Sequence, residues 1–425
     1  MNRRAGDSNQ RHAMPSYSEV FRTRGYLAIF LAAALSTWGD YLARVTIAAY
    51  VFKRTGSPLA AAGIFAVSLL PTIFGRSLLA PIADRIPYKY VLIASHLTRA
   101  VLVAALIVMV STDVPLWTLF GLLFLLELAG GPAVPSGQIL MTDLFADRRL
   151  YARALGLGTL SDQVNQAIGL GVGGLVVAWV GTDGALWFDL ATFLISALVI
   201  AAVVRVRAIR GTPSAGAIGF FRDIGAGARY LFRHPVLVHL LALSLCAVWA
   251  ATAPEAVAIA YAASKDASGS ASLGGLLMAA PILGAVLGLV IVGRWQPERQ
   301  NSRMIVMALL MPLPLLVTVI APPVSITWLL WFGSGVLQAF MLPLQSTLSL
   351  VIPVEMRGRV FGLAGALSVA STGVAYLVSG YLAEITSPSS AVAICAGGSL
   401  LAMGVVAVRW PRAALRAAVD TAYNS

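Results

Sequence analysis

The sequence predicts an all-α membrane protein of about 12 transmembrane helices, arranged as two pseudo-symmetric six-helix bundles. Three observations predict it: an apolar composition, a series of apolar runs long enough to cross a bilayer, and an uneven distribution of basic residues. Of 425 residues, 59% are hydrophobic and 11% charged, whereas a water-soluble chain carries about a quarter charged residues. One water-soluble core cannot hide that much apolar surface, so the chain needs lipid as its solvent.

A span requires about 20 mainly apolar residues. In the first half such runs cover residues 25–51, 58–80, 90–111, 115–140, 153–181 and 185–204; in the second, 236–261, 271–293, 304–321, 325–351, 360–383 and 389–408. The stretch 304–354 has no charged residue and is long enough for two spans, with Pro322-Pro323 marking the hairpin between them. Residues 1–24 read as a polar tail before a long apolar run, which is the pattern of a signal anchor and not of a cleaved leader.

The net charge of +12 is not a nucleic-acid footprint, because the basic residues sit in short clusters between apolar runs. With the N-terminus placed in the cytoplasm, 24 of the 30 lysines and arginines fall inside. Only Lys53, Arg54 and Lys265 fall outside, and Arg44, Arg76 and Arg99 lie within spans. That asymmetry predicts an even number of spans with both termini cytoplasmic.

The longest polar interval, 205–235, separates a bundle at 25–204 from one at 236–410, followed by a tail at 411–425. Within it Phe221, Ile224, Ala228 and Leu231 recur at helical spacing, the pattern of a short helix lying on the inner membrane surface; a solvated linker is the alternative. The halves echo each other. Arg153–Leu157 (RALGL) resembles Arg359–Leu363 (RVFGL), the same offset carries Gly174 onto Gly380, and Pro71 and Pro281 occupy similar places. Internal repeats of this kind build transporters whose site lies between bundles at mid-membrane.

Ionisable residues within spans cost free energy and are tolerated where they face a protein interior or a water-filled cavity. Here they are Asp40, Arg44, Arg76, Arg99, Glu127, Asp162 and Glu255, while Asp189 is expected near an interface. Asp40 and Arg44, four apart, share a face with Ser36 one turn before them. They form either a titratable group beside a polar path or an ion pair satisfied within the bundle. Glu127, Gly130, Gly131, Val134 and Gln138 share a face of the fourth span. Asp162, Asn165, Gln166, Gly169 and Gly173 form a similar stripe in the fifth. Thr252 with Glu255 in the seventh span, and Gln338, Met341 and Gln345 in the tenth, add polar lining. A carboxyl group in a low-dielectric cavity can exchange protons near neutral pH, so Glu127 and Asp40 are the expected proton carriers. Single amides serve equally well as interhelical hydrogen-bonding groups. His96 and Arg99 are expected two to three turns from the inner end and outside the site. Trp38, Trp249, Trp328 and Trp331 are expected mainly as interfacial anchors.

Cys246 and Cys395 lie in apolar runs and read as small hydrophobes without a disulfide. His12, His96, His234 and His239 are scattered, and no catalytic cluster, zinc-finger spacing, P-loop or dinucleotide fingerprint occurs. The sequence therefore predicts no enzyme, no cofactor, no metal and no nucleic-acid partner.

Residues 78–92, LLAPIADRIPYKYVL, resemble the signature loop of the major facilitator superfamily. Ala83, Asp84, Arg85 and Lys89 match its pattern; Ala80, Ile82, Pro87 and Tyr88 depart from it. The resemblance implies that Asp84, Arg85 and Lys89 form an inner gating loop that latches the bundles. GLGVGG at 169–174 is similar to the superfamily's antiporter motif, with Leu170 in place of proline, so that Gly169, Gly173 and Gly174 would pack helices closely. Glu127 stands where drug–proton antiporters carry an arginine, so any proton coupling is arranged differently here. Residues 35–63, 222–235 and 351–363 are similar to enterobactin-exporter-like and Tap-like efflux pumps, a resemblance reaching from about residue 20 to 410. It implies a monomeric multi-pass protein of a bacterial cytoplasmic membrane that exports amphiphilic small molecules in exchange for protons. An uncoupled facilitator or lysophospholipid-type lipid transporter is the alternative. The excess of acids within the spans points to cationic or zwitterionic cargo.

Overall fold

The computed structural model describes residues 17–78, 86–112, 114–206, 216–266 and 270–411, with the side chains of 72–78, 216–224 and 354–355 also outside the description. Among the described residues every regular element is a helix. This follows from the solvent: lipid offers no partner for a peptide group, so each span must bond its own backbone.

Among the described residues, ten helices are long and apolar enough to cross a membrane. One of these, Arg148–Val203, has 56 residues and is two spans, because Gly181 (φ 74°, ψ 177°) leaves helical geometry and turns the chain back. A side chain at that φ would be strained, so glycine marks the fifth hairpin. Pro58–Leu78 completes the set of twelve. In order the spans are Tyr26–Thr55; Pro58–Leu78; Tyr88–Ser111; Leu116–Gly130 continued by Ala133–Leu144; the two halves of Arg148–Val203; Pro235–Lys265; Ser270–Gly293; Pro297–Ile320; Val324–Val351; Val354–Ile385; and Pro388–Val408. Each predicted run has its helix.

Two spans are offset in mid-course just before a proline, and each break is patched by a serine from a neighbour. Span 4 is offset at Gly131-Pro132, and Ser95 of span 3 donates to the Ala129 carbonyl at 2.7 Å. Span 9 is offset at Met311-Pro312, and Ser334 of span 10 donates to the Met311 carbonyl at 2.8 Å. Proline lacks the N–H that would continue the helical ladder, so carbonyls near the break lose their usual donor. Inside a membrane a hydroxyl from the next helix is the available replacement.

The polar interval is helical over Gly216–Arg233. Leu231 is buried and Gly227 lies against the Arg359 backbone at the start of span 11, so this segment is packed on the second half and is not a solvated linker.

The repeat noticed in the sequence has a structural counterpart. A Cβ on Gly174 of span 5 would collide with the Ala271 carbonyl at the start of span 8. One on Gly380 of span 11 would lie 2.9 Å from Leu59 Cα at the start of span 2. The same pair of glycines thus lets the two halves touch along both seams, at the end of the molecule opposite the basic loops. There Glu384 of span 11 also accepts from Ser57 Oγ at 2.5 Å and from the Leu59 N–H at 3.2 Å. Toward the basic end, a Cβ on Gly156, Gly158, Gly358, Gly362 or Gly365 meets nothing within 4 Å among the described residues. Those glycines therefore do not join the halves at the basic end, whereas Gly174 and Gly380 do so at the opposite end.

Candidate functional site

The charged residues of the first half meet at mid-membrane. Asp40 is at the centre of span 1 and Arg99 at the centre of span 3. Arg99 Nη2 donates to Asp40 Oδ1 at 2.6 Å. One turn along span 1, Arg44 bonds Glu127 of span 4 through Nη2 at 2.6 Å and Nε at 3.1 Å. Asp40 and Arg44 therefore do not pair with each other, although they share a helix face. Each reaches to a different neighbour, and three spans are tied by two crossed ion pairs. Arg99 also covers the ring of Phe193 in span 6, with Cζ 4.2 Å from its centroid, and Arg44 lies over Tyr41 at 5.3 Å. Aromatic faces of this kind stabilise a cation where water is scarce.

The cluster corrects two expectations. Arg99 belongs to it, because it stands midway along the 24 residues of Tyr88–Ser111 and so at the membrane centre, not near its edge. Asp189 is not interfacial: its residue is 0% exposed, and neither carboxylate oxygen has a hydrogen-bond partner. It fits because span 1 has glycine opposite, and a Cβ on Gly39 would lie 2.5 Å from Asp189 Oδ1. Trp38, one residue earlier, packs edge-on against Phe188, one residue before Asp189. His96 lies beside Phe193, its Nδ1 buried without a partner.

Other predicted residues distribute around this core. Glu255 of span 7 is hydrogen-bonded to the Tyr376 hydroxyl of span 11 and feels the charge of Arg44, and Tyr376 stacks on Phe65 of span 2 at 5.3 Å. Charge from the first half and an acid from the second therefore approach the same central region. Asp162 is exposed on span 5, on the side whose charge reaches Tyr41, and stands apart from the ion pairs. Asn165 donates to Ser161 on its own helix at 3.0 Å, so its amide is satisfied locally. Gln138 and Gln345 are exposed, Gln166 and Gln338 are half-buried, and Thr252 is buried.

The glycine stripe of span 5 divides its work: Gly169 faces Trp38 and Tyr41, Gly173 faces Leu42, and Gly174 faces span 8. Trp331 is fully buried, its indole donating to Thr318, and Trp249 donates to Ser371 of span 11 at 3.0 Å. These two are packing residues within the second half, not interfacial anchors. Cys246 and Cys395 are both free thiols.

The family model described as Major Facilitator Superfamily matches residues 29–350. The chain belongs to the major facilitator superfamily. It is 25% identical over 407 residues to the multidrug efflux pump Tap of Mycolicibacterium fortuitum, an alignment covering 92% of this chain and 96% of the relative. Identity to the Tap pump of Mycobacterium tuberculosis is also 25%, over 402 residues, covering 90% and 92%. The fold matches the crystal structure of the nucleoside transporter NupG with a TM-score of 0.68 at 12% identity, covering 91% of this chain and 98% of that one.

As a major facilitator protein the chain is a membrane transporter and not an enzyme. Of the superfamily loop, Asp84 and Arg85 lie outside the described residues, as does the side chain of Arg76 in span 2. Lys89 donates to the Ala201 carbonyl of span 6 at 2.7 Å, a contact within the first half and not across to the second. Sequence reasoning missed Arg99 and Asp189. The available signal was depth: Asp40, Arg44, Arg99 and Glu127 all fall toward the middle of their runs on three different helices, which invites cross-pairing, while Asp189 lies nearer the start of its run.

Proposed function

We propose that this chain exports amphiphilic small molecules by alternating access, in exchange for protons, with residues 25–204 rocking against 236–410. The carrying observation is the mid-membrane cluster Asp40–Arg99 and Arg44–Glu127, facing Glu255 and Tyr376 across a seam that glycines join at the end opposite the basic loops. Charges at that depth are expensive unless they serve a pathway. Glycine contacts on both seams let backbones of the two halves meet closely, which suits surfaces that part and rejoin.

The whole-length similarity to multidrug efflux pumps favours an amphiphilic cargo. Counting Glu255 with the two ion pairs, three acids face two arginines, which favours a cation. Basic loops place their end toward the cytoplasm, the side from which export across a bacterial inner membrane would load. Asp40 and Glu127 would carry the charge that cargo and protons compete for, and Gly174 and Gly380 would close the outer side.

The test compares ethidium accumulation in a strain overexpressing the protein with one lacking it, with and without an uncoupler. Lower accumulation that is restored by the uncoupler is the expected result. Equal accumulation in both strains defeats the export reading. A difference that ignores the uncoupler and an imposed pH gradient points to an uncoupled facilitator.

A further inference from the structure

Of the buried polar groups around the cluster that lack a partner, His96 Nδ1 and Trp38 Nε1 among them, two belong to charged side chains. Asp189 is wholly enclosed, yet no donor reaches either oxygen, and Arg99 Nε is buried without an acceptor. An ionised carboxylate in that position would forfeit its hydration and receive nothing in return, a cost of several kcal/mol. Native interiors rarely tolerate such a group without a role.

The two leftovers are neighbours. Arg99 lies over the ring of Phe193, which is one helical turn beyond Asp189 on span 6. On the other side, Asp189 Oδ1 touches span 1 at Gly39, adjacent to Asp40, the present partner of Arg99. A guanidinium has five N–H donors in a planar fork, and here one edge is taken by Asp40. A modest swing across Phe193 would bring it to Asp189.

The charged and titratable groups around Asp189 are Asp40 from span 1, Arg99 and His96 from span 3, and Glu127 from span 4. On its own helix the Thr192 hydroxyl lies beside the carboxyl group but donates to the Asp189 backbone carbonyl at 2.7 Å.

We propose that Asp189 is a proton-binding site and the second seat of Arg99. In the arrangement described, Asp189 carries the proton while Arg99 holds Asp40. In the alternative, the Asp189 O–H bond breaks, its proton passes to water in the pathway, and the carboxylate takes Arg99. Asp40 is then released to accept a proton or a cationic cargo. One proton leaves for each monovalent cation bound, and the charge of the cluster is unchanged. This exchange deepens the export reading and rests on it for its purpose, but the two seats of Arg99 can be tested without any cargo.

The experiment is infrared spectroscopy of the full-length protein in lipid nanodiscs near neutral pH. Wild type is expected to display a protonated-carboxyl C=O band that shifts on ¹³C-aspartate labelling and is lost in Asp189→Asn. The second variant, Asp40→Asn, removes the first seat, so Arg99 should move to Asp189 and the same band should vanish although Asp189 is intact. No labelled carboxyl band in wild type, or a band unaffected by Asp189→Asn, overturns the proton site. Persistence of the band in Asp40→Asn overturns the second seat. Isotope labelling of wild type decides the first point even where a variant fails to fold. Should both variants behave as expected while the protein shows no proton-linked ethidium efflux, the export reading alone is wrong.

Discussion

In the first half, two arginines and three carboxylates meet at mid-membrane, whereas among the described side chains the matching region of the second half holds one acid, Glu255, served by a tyrosine. The packing of the halves is by contrast similar. Each has a proline-interrupted span patched by a serine, and each lends a glycine-bearing helix to the seam. The difference separates two tasks. In the proposed cycle both ion pairs and the second seat of Arg99 lie within one half, so charge exchange would not require contacts between the halves to break. The second half reaches the cluster through Glu255 and Tyr376, and in the proposed cycle it would be the moving wall.

The comparison can be broken most forcefully at Arg99. Replacing it with alanine strands Asp40 in the interior, and removing one partner of a buried pair costs about 3–5 kcal/mol. We expect the largest fall in melting temperature in detergent for Arg99→Ala and Arg44→Ala. Asp40→Asn should cost clearly less than Arg99→Ala, because the guanidinium has Asp189 to go to. Equal losses would mean that the pairing is purely local.

The seam glycines come next. Gly174→Leu and Gly380→Leu should each cost about 1–3 kcal/mol through overpacking and should wedge the joined end apart. The check is maleimide labelling of Ala62→Cys in a Cys246→Ser, Cys395→Ser background, with Gly158→Leu and Gly362→Leu as controls near the basic end. Equivalent labelling from both seam variants would sharpen the case for an internal repeat, and an effect from only one would break it.

Glu384→Ala removes the acceptor for Ser57 and for the Leu59 N–H at the first turn of span 2. A lost cap of this type is worth about 1 kcal/mol. A smaller rise in the same labelling assay is expected. The smallest effect belongs to Glu255→Gln, whose amide oxygen can still accept from Tyr376. Its melting temperature should change by the equivalent of less than about 1 kcal/mol.

Most of the architecture was legible because lipid leaves few options. Run length located the spans, the Pro322-Pro323 pair marked a hairpin, and a fixed offset joined Gly174 to Gly380 before any contact was known. The site was legible in membership more than in pairing. Helical spacing placed Asp40 and Arg44 on one face, but which neighbour each reaches depends on how spans 1, 3 and 4 are rotated, and no local pattern encodes that. Asp189 was misjudged for a related reason. Its distance from the hairpin at Gly181 is short in residues, yet about eight residues of helix span about 12 Å. The notch that receives it is a glycine on a different span.

The central claim is that charge exchange for transport resides in the first half. Its most direct test is ethidium flux driven by a pH gradient in proteoliposomes, comparing Asp40→Asn and Glu127→Gln with Glu255→Gln. The account predicts that both first-half variants fall to the level of empty liposomes while Glu255→Gln retains gradient-driven flux at reduced rate. Wild-type flux in Asp40→Asn and Glu127→Gln would contradict it.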